Sequence, residues 1–236
     1  MKPYQKIPIQ ECSEPLVPIP LDCFTRESPH PYVKLGADYG GKSPYYVRQG
    51  VLDALLAARE NLQRNHPGWQ ICIFDAYRPI AVQQFMVDYT FQSLIAERKL
   101  NLSALSAPEK ERLWQEVHQF WAVPSDNPAT PPPHSTGAAI DVTLTDAKGE
   151  AIDMGSPIDE ISERSYPHHY EKAQTLSEQN YHQNREILHQ AMTSQGFFRH
   201  PQEWWHFSVG DQLWALQYNQ KYPTNPVMAR YGRWEA

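Results

Sequence analysis

Apolar positions recur at helical spacing in several long stretches of the chain and run together or alternate in three short ones, which predicts a mixed fold. From Val51 to about Asn65 they fall at 51, 54, 55, 58 and 62, the stripe of an amphipathic helix. His66-Pro67-Gly68 ends that run. Gln70 to Phe74 (QICIF) is a short buried strand leading into Asp75-Ala76-Tyr77-Arg78-Pro79, and a second helix is expected from Pro79 to about Leu100, proline being tolerated in a first turn. Ser106-Ala107-Pro108-Glu109 has the Ser-x-x-Glu form of a capping box, which predicts a third helix over 107–121.

Beyond the proline-rich loop 124–133, Ala138 to Thr145 alternates as a strand does, and Asp146 to Gly149 is a hairpin turn. Residues 153–172 look irregular. Glu171 to Gln195 is expected to be helical and closed by Gly196, with Trp204 to Val209 a last strand. Residues 1–48 have little helical periodicity and read as an extended segment wrapping the core, with a turn at Gly40-Gly41; residues 210–236 read as an irregular tail. The expected architecture is a single α+β domain over 1–236, with a small, mainly antiparallel sheet packed by helices on its outer side.

Composition narrows the function classes. The formal net charge of −6, with Arg and Lys scattered singly, provides no basic patch and argues against a nucleic-acid partner. A small charged or zwitterionic substrate fits this balance. No apolar run approaches the length of a membrane span. The first twenty residues lack the apolar stretch of a signal peptide, so the expectation is a cytoplasmic protein, or a periplasmic one if a leader has been removed. The three cysteines, Cys12, Cys23 and Cys72, have no CxxC spacing and read as reduced thiols, a Cys12–Cys23 disulfide being the alternative. Oligomeric state is not legible.

Three polar groups interrupt apolar segments. In His134-Ser-Thr-Gly-Ala-Ala-Ile-Asp141, a loop histidine feeds a strand whose aspartate is flanked by Ile140 and Val142. A carboxylate buried there costs several kcal/mol unless it is paired or bound to a cation. In Glu203-Trp204-Trp205-His206, a base and a ligand are embedded in an apolar wall. Residues three apart on a strand point to opposite faces, so Glu203 must sit on a turn or bulge for both to face one site. The third group is Arg78, at the end of a buried strand, where a guanidinium could stabilise a developing oxyanion.

His134, Asp141 and His206 together form the two-imidazole, one-carboxylate set that suits tetrahedral zinc with one position left open. Glu203 is then the candidate general base. Each residue also has an ordinary reading: a hydrogen-bonded histidine, a salt-bridged arginine, an aspartate capping a turn, core tryptophans. Their joint occurrence in this order is the stronger signal.

That order resembles the VanX-type D-alanyl-D-alanine dipeptidases within the zinc D-Ala-D-Ala metallopeptidases. The shared motifs are DAYRP (75–79), HSTGAAID (134–141), MGSPID (154–159), ERS (163–165) and EWWH (203–206), spread over roughly residues 30 to 208. The resemblance implies one zinc ion per chain on His134, Asp141 and His206, with Glu203 as base and Arg78 stabilising the transition state. It further implies that Asp159 receives the free amino group of a small dipeptide substrate. Where the family carries a serine associated with substrate binding, two residues before the first histidine, this chain has Pro132. Two rival readings remain: a murein D,D-carboxypeptidase or L,D-endopeptidase with the same zinc site, and a non-catalytic zinc-fold binding protein.

Overall fold

The computed structural model describes residues 2–234. After a 3-10 turn at Pro3–Lys6, the first half of the chain forms β1 (Leu16–Pro18), β2 (Thr25–Arg26), α1 (Pro31–Lys34), β3 (Tyr46–Arg48) and α2 (Gln49–Asn65). β4 (Gln70–Asp75), α3 (Ile80–Glu97) and α4 (Ala107–Phe120) follow. The second half contains β5 (Ala139–Thr145), α5 (Leu176–Thr193), β6 (Phe198–Arg199), β7 (His206–Ser208) and α6 (Gln212–Lys221). Five strands form one sheet in the order β2-β4-β5-β7-β6, while β1 and β3 make a separate two-stranded ribbon. Within the larger sheet only the β2–β4 pair is parallel. The mixed fold with a small, mainly antiparallel sheet is therefore the one the pattern predicts.

Alternation along β5 sorts its side chains. Ile140, Val142 and Leu144 join Ile71, Ile73 and Phe207 in one apolar cluster, against Val51, Leu55, Ala58 and Leu62 of α2 and Leu188, Ala191 and Met192 of α5. Removing each of the larger side chains from water contributes about 1.5–3 kcal/mol, which holds the sheet against these helices. Asp141 projects from the opposite face, because successive strand residues point to opposite sides. A second cluster, built from Val82, Met86, Phe91, Leu113 and Val117 of α3 and α4 with Tyr32 of α1, lies apart from the first.

Local signals account for most boundaries. The Ser106–Glu109 capping box opens α4 as expected. Pro79 is the N-cap of α3 rather than part of its first turn. A residue before proline is steered away from helical backbone, in keeping with the non-helical link 76–79, which contains Arg78, between β4 and α3.

Three expectations need correction. α5 starts at Leu176, with Thr175 accepting a hydrogen bond from the Glu178 N–H, so residues 171–175 form turns and not helix. The C-cap is Ser194, and Gly196 takes a left-handed conformation (φ 88°) two residues later. The expected irregular tail 210–236 contains α6, opened by Asp211, whose carboxylate accepts from the Trp214 N–H. The first 30 residues are not uniformly extended either, since they include the 3-10 turn at Pro3–Lys6 and two short strands. All three cysteines are free thiols, and no helix among the described residues is long and apolar enough to cross a membrane.

Candidate metal and catalytic site

β5 and β7 build the centre of the site. Asp141 is the third residue of β5 and His206 the first of β7, and the two are direct antiparallel partners. His134 reaches the same point from the 3-10 turn Pro133–Thr136 just before β5. That turn ends at Gly137, whose positive φ (71°) suits glycine, and a Cβ there would run into Leu16. The tight reversal folds His134 back over the start of β5.

Three ligand-type groups converge, Asp141 through both of its oxygens. His134 Nε2 lies 3.1 Å from His206 Nδ1 and 3.2 Å from Asp141 Oδ2, and His206 Nδ1 lies 3.0 Å from Asp141 Oδ1. In a tetrahedral site with zinc–ligand distances of about 2.0–2.1 Å, neighbouring ligand atoms stand roughly 3.3 Å apart. His134 Nδ1 is 2.7 Å from the Ala76 carbonyl, a bond that requires the proton on Nδ1. With Nδ1 turned to that carbonyl, Nε2 is the nitrogen left to face Asp141 and His206 as a metal ligand. Two imidazoles and a carboxylate, all buried and converging on one point, are a donor set that fits a metal ion. These three residues form the one such group found among the described residues.

The carboxylates divide by environment. Burial alone would raise Asp141, but His134 and His206 outweigh it and hold the carboxyl well below the usual range. Glu203 lies in the loop before β7, which lets it face the site although it is three residues from His206. Its Oε2 is 3.7 Å from His206 Nδ1. Burial, reinforced by Asp141 and Asp159, pushes it up to about 8. Burial and the neighbouring Asp141 likewise raise Asp159 to about 7. Asp159 also holds a left-handed backbone (φ 65°), a strained conformation for a residue with a side chain.

Arg78 links these groups. Its Nε donates to Asp75 Oδ2 (2.9 Å) and its Nη1 to Gln83 Oε1 (2.9 Å). Its Nη2 donates to the Tyr32 hydroxyl (3.1 Å) and Asp141 Oδ2 (3.3 Å). The guanidinium is also sandwiched by the rings of Tyr32 and Trp121, at 4.9 and 5.0 Å. These four bonds leave one of its five N–H donors, on Nη1, for another acceptor. The Tyr32 hydroxyl in turn donates to Asp159 Oδ2 at 2.9 Å.

All six residues singled out in the sequence thus line one narrow cavity of about 40 Å³, joined there by Lys2, Tyr4, Gln83, Trp121 and His200. Sequence reasoning missed Tyr32, Gln83, Lys2 and Tyr4. DAYRP pointed to Asp75 as a motif residue, but nothing local marked its partners His30 and Tyr39, which approach Asp75 Oδ1 to 3.0 and 3.1 Å.

A family model described as D-ala-D-ala dipeptidase matches residues 25–228. A D-alanyl-D-alanine dipeptidase of Synechocystis is 53% identical over all of this chain and 98% of its own length. The D-alanyl-D-alanine dipeptidase of Escherichia coli is 30% identical, with 72% of each chain covered. That of Enterococcus faecalis is 32% identical over 72% of this chain and 77% of the relative.

Proposed function

The chain belongs to the D-Ala-D-Ala dipeptidase family of metallopeptidases, and on that premise we propose that it hydrolyses D-alanyl-D-alanine with a single zinc ion held by His134, Asp141 and His206. The observation that carries this reading is the convergence of those three ligand groups to 3.0–3.2 Å beside a buried glutamate and a buried arginine. When bound, the ion supplies Lewis-acid polarisation of the scissile carbonyl and acidifies the attacking water.

The chain's own residues do the rest. Glu203 takes the water's proton and delivers it to the departing amine nitrogen, a role served by a carboxyl whose pKa is raised towards neutrality. Arg78 directs its remaining Nη1 proton at the carbonyl oxygen as negative charge builds there. Asp159, oriented by Tyr32, receives the substrate's ammonium group and requires a free amino terminus. Trp205, buried and lining the cavity with Glu203, forms a dry wall that strengthens these electrostatic interactions.

The narrowness of the cavity favours a dipeptide over a long peptidoglycan strand, which needs an open cleft. The retained Glu203 and Arg78 favour an enzyme over a binding module. Steady-state rates with D-Ala-D-Ala, L-Ala-L-Ala and a pentapeptide ending in D-Ala-D-Ala test the reading. The free D,D-dipeptide is expected to be cleaved with the highest kcat/KM; preference for the pentapeptide would overturn it.

A further inference from the structure

One wall of the catalytic cavity comes from a segment more than seventy residues from every catalytic group. Lys2 and Tyr4, at the 3-10 turn Pro3–Lys6, line the cavity together with Phe120, His200, Glu203 and Leu213. The turn is fixed in place. The Lys2 N–H donates to Gln5 Oε1 (2.8 Å), and Gln212 Nε2 of α6 donates to the Ile7 carbonyl (2.7 Å). Further along, the Gln10 and Cys12 N–H groups donate to the Ala229 and Arg230 carbonyls.

The charges in the cavity are unevenly used. Arg78, the other permanent cation lining it, is engaged by Asp75, Gln83, Tyr32 and Asp141. The Lys2 ammonium, by contrast, makes no salt bridge and no side-chain hydrogen bond among the described residues, and neither does the Tyr4 hydroxyl. Two donors therefore face a cavity rich in carboxylates without a partner of their own. The ammonium feels Glu203 but is bonded to none of its described neighbours, so an anion placed beside it would gain a direct charged partner.

The substrate's own charges identify the anion. Asp159 is held by Tyr32 of α1, which also accepts from Arg78, whereas the turn that carries Lys2 and Tyr4 is tied to α6. Asp159 and Lys2 thus reach one cavity from separately anchored segments, with Glu203 and the three ligand-type residues lining it too. A zwitterionic dipeptide carries a charge for each, an ammonium for Asp159 and a carboxylate for Lys2. Pro133, which lines the same cavity, has no backbone N–H to offer a carboxylate.

We propose that Lys2, assisted by the Tyr4 hydroxyl, binds the C-terminal carboxylate of the dipeptide and so makes the enzyme selective for a free carboxyl end. This rests on the dipeptidase reading above. It assigns Lys2 to substrate binding, away from the reacting atoms, so its loss falls mainly on KM.

The test is the steady-state kinetics of the wild type, Lys2→Gln and Lys2→Arg, all without an N-terminal tag, on D-Ala-D-Ala and on its C-terminal amide. The wild type is expected to prefer the free acid. Lys2→Gln is expected to lower kcat/KM for the acid about tenfold or more, chiefly through KM, and to narrow the acid-to-amide ratio, with Lys2→Arg recovering most of it. A Lys2→Gln enzyme that cleaves D-Ala-D-Ala with the wild-type acid-to-amide ratio overturns the assignment and leaves the dipeptidase reading standing. Equal losses on both substrates overturn it too, since a merely structural role would leave the ratio intact. A wild-type chain inactive on D-Ala-D-Ala contradicts the dipeptidase reading itself, and the assignment with it.

Discussion

Asp141 and His206 are direct partners across β5 and β7, and the register brings Asp141 Oδ1 within 3.0 Å of His206 Nδ1. A one-residue slip of either strand would turn its own side chain towards the apolar cluster around Ile140 and Phe207 and leave the other behind on the site face. The pairing that buries the core is therefore the same pairing that assembles the site.

Glu203 sits beside the three ligand-type residues without belonging to their group. Glu203→Ala is expected to lower kcat on D-Ala-D-Ala by at least about 10²-fold, the typical contribution of a general base, while metal content stays at one ion per chain. Rates from a coupled D-alanine assay and metal analysis of the same sample check both halves. Near-wild-type turnover would remove Glu203 from its role.

Arg78→Lys keeps the charge but cannot reproduce bonds to Asp75, Gln83, Tyr32 and Asp141 together. A drop in kcat of about 10²–10³-fold is expected, as for loss of one oxyanion donor. Stability should also fall by about 1–3 kcal/mol, because Asp75 and Gln83 lose a buried partner. Urea denaturation beside the kinetic assay separates the two effects. An unaltered kcat would contradict the oxyanion assignment.

Without metal, burial raises Glu203 to about 8 and Asp159 to about 7. At pH 7 most of the Glu203 and about half of the Asp159 population then carries a proton. A divalent cation nearby favours the ionised carboxylates, so metal binding should release protons. Titration calorimetry in buffers of different ionisation enthalpy measures the number. Heats independent of the buffer would show that these carboxyls are already ionised in the metal-free protein.

Away from the site, Glu186 of α5 lies 3.2 Å from His189 Nδ1 and accepts from Arg199 Nη1 at 3.2 Å. These two partners, His189 foremost, hold its carboxyl down to about 2 against the effect of burial. A carboxyl depressed in the folded state contributes stability that is complete above its unfolded value, near 4.5, and is lost as pH falls towards 2. Glu186→Gln should therefore cost about 1 kcal/mol at pH 7 and progressively less below pH 4. Denaturation midpoints of both proteins between pH 2.5 and 7 test it; a gap that does not shrink in acid would contradict the pairing.

Much of the site was legible because its residues break local patterns. An aspartate between Ile140 and Val142, or a glutamate and histidine around two tryptophans, conflicts with the apolar run that surrounds it. The need for Glu203 to leave strand geometry followed from alternation alone, and the loop before β7 provides it. Tyr32 and Lys2 carry no such conflict, since an isolated tyrosine or lysine in a proline-rich segment is unremarkable until the fold brings it across. Asp159 was identified by resemblance only, and its left-handed backbone is invisible in the sequence. α6 was missed because Gln212–Lys221 is polar on most faces, with only Gln212, Leu213 and Ala215 buried. Tertiary packing, more than its own periodicity, holds that helix.

The central claim is that one ion at His134, Asp141 and His206 makes this chain a D-Ala-D-Ala dipeptidase. Stripping the protein of metal and adding zinc back in sub-stoichiometric steps, while following D-alanine release, tests it most directly. Activity should rise in proportion to zinc, level off at one equivalent per chain, and be absent at equal zinc in His206→Ala. Full activity in the stripped protein, or in His206→Ala, would contradict it.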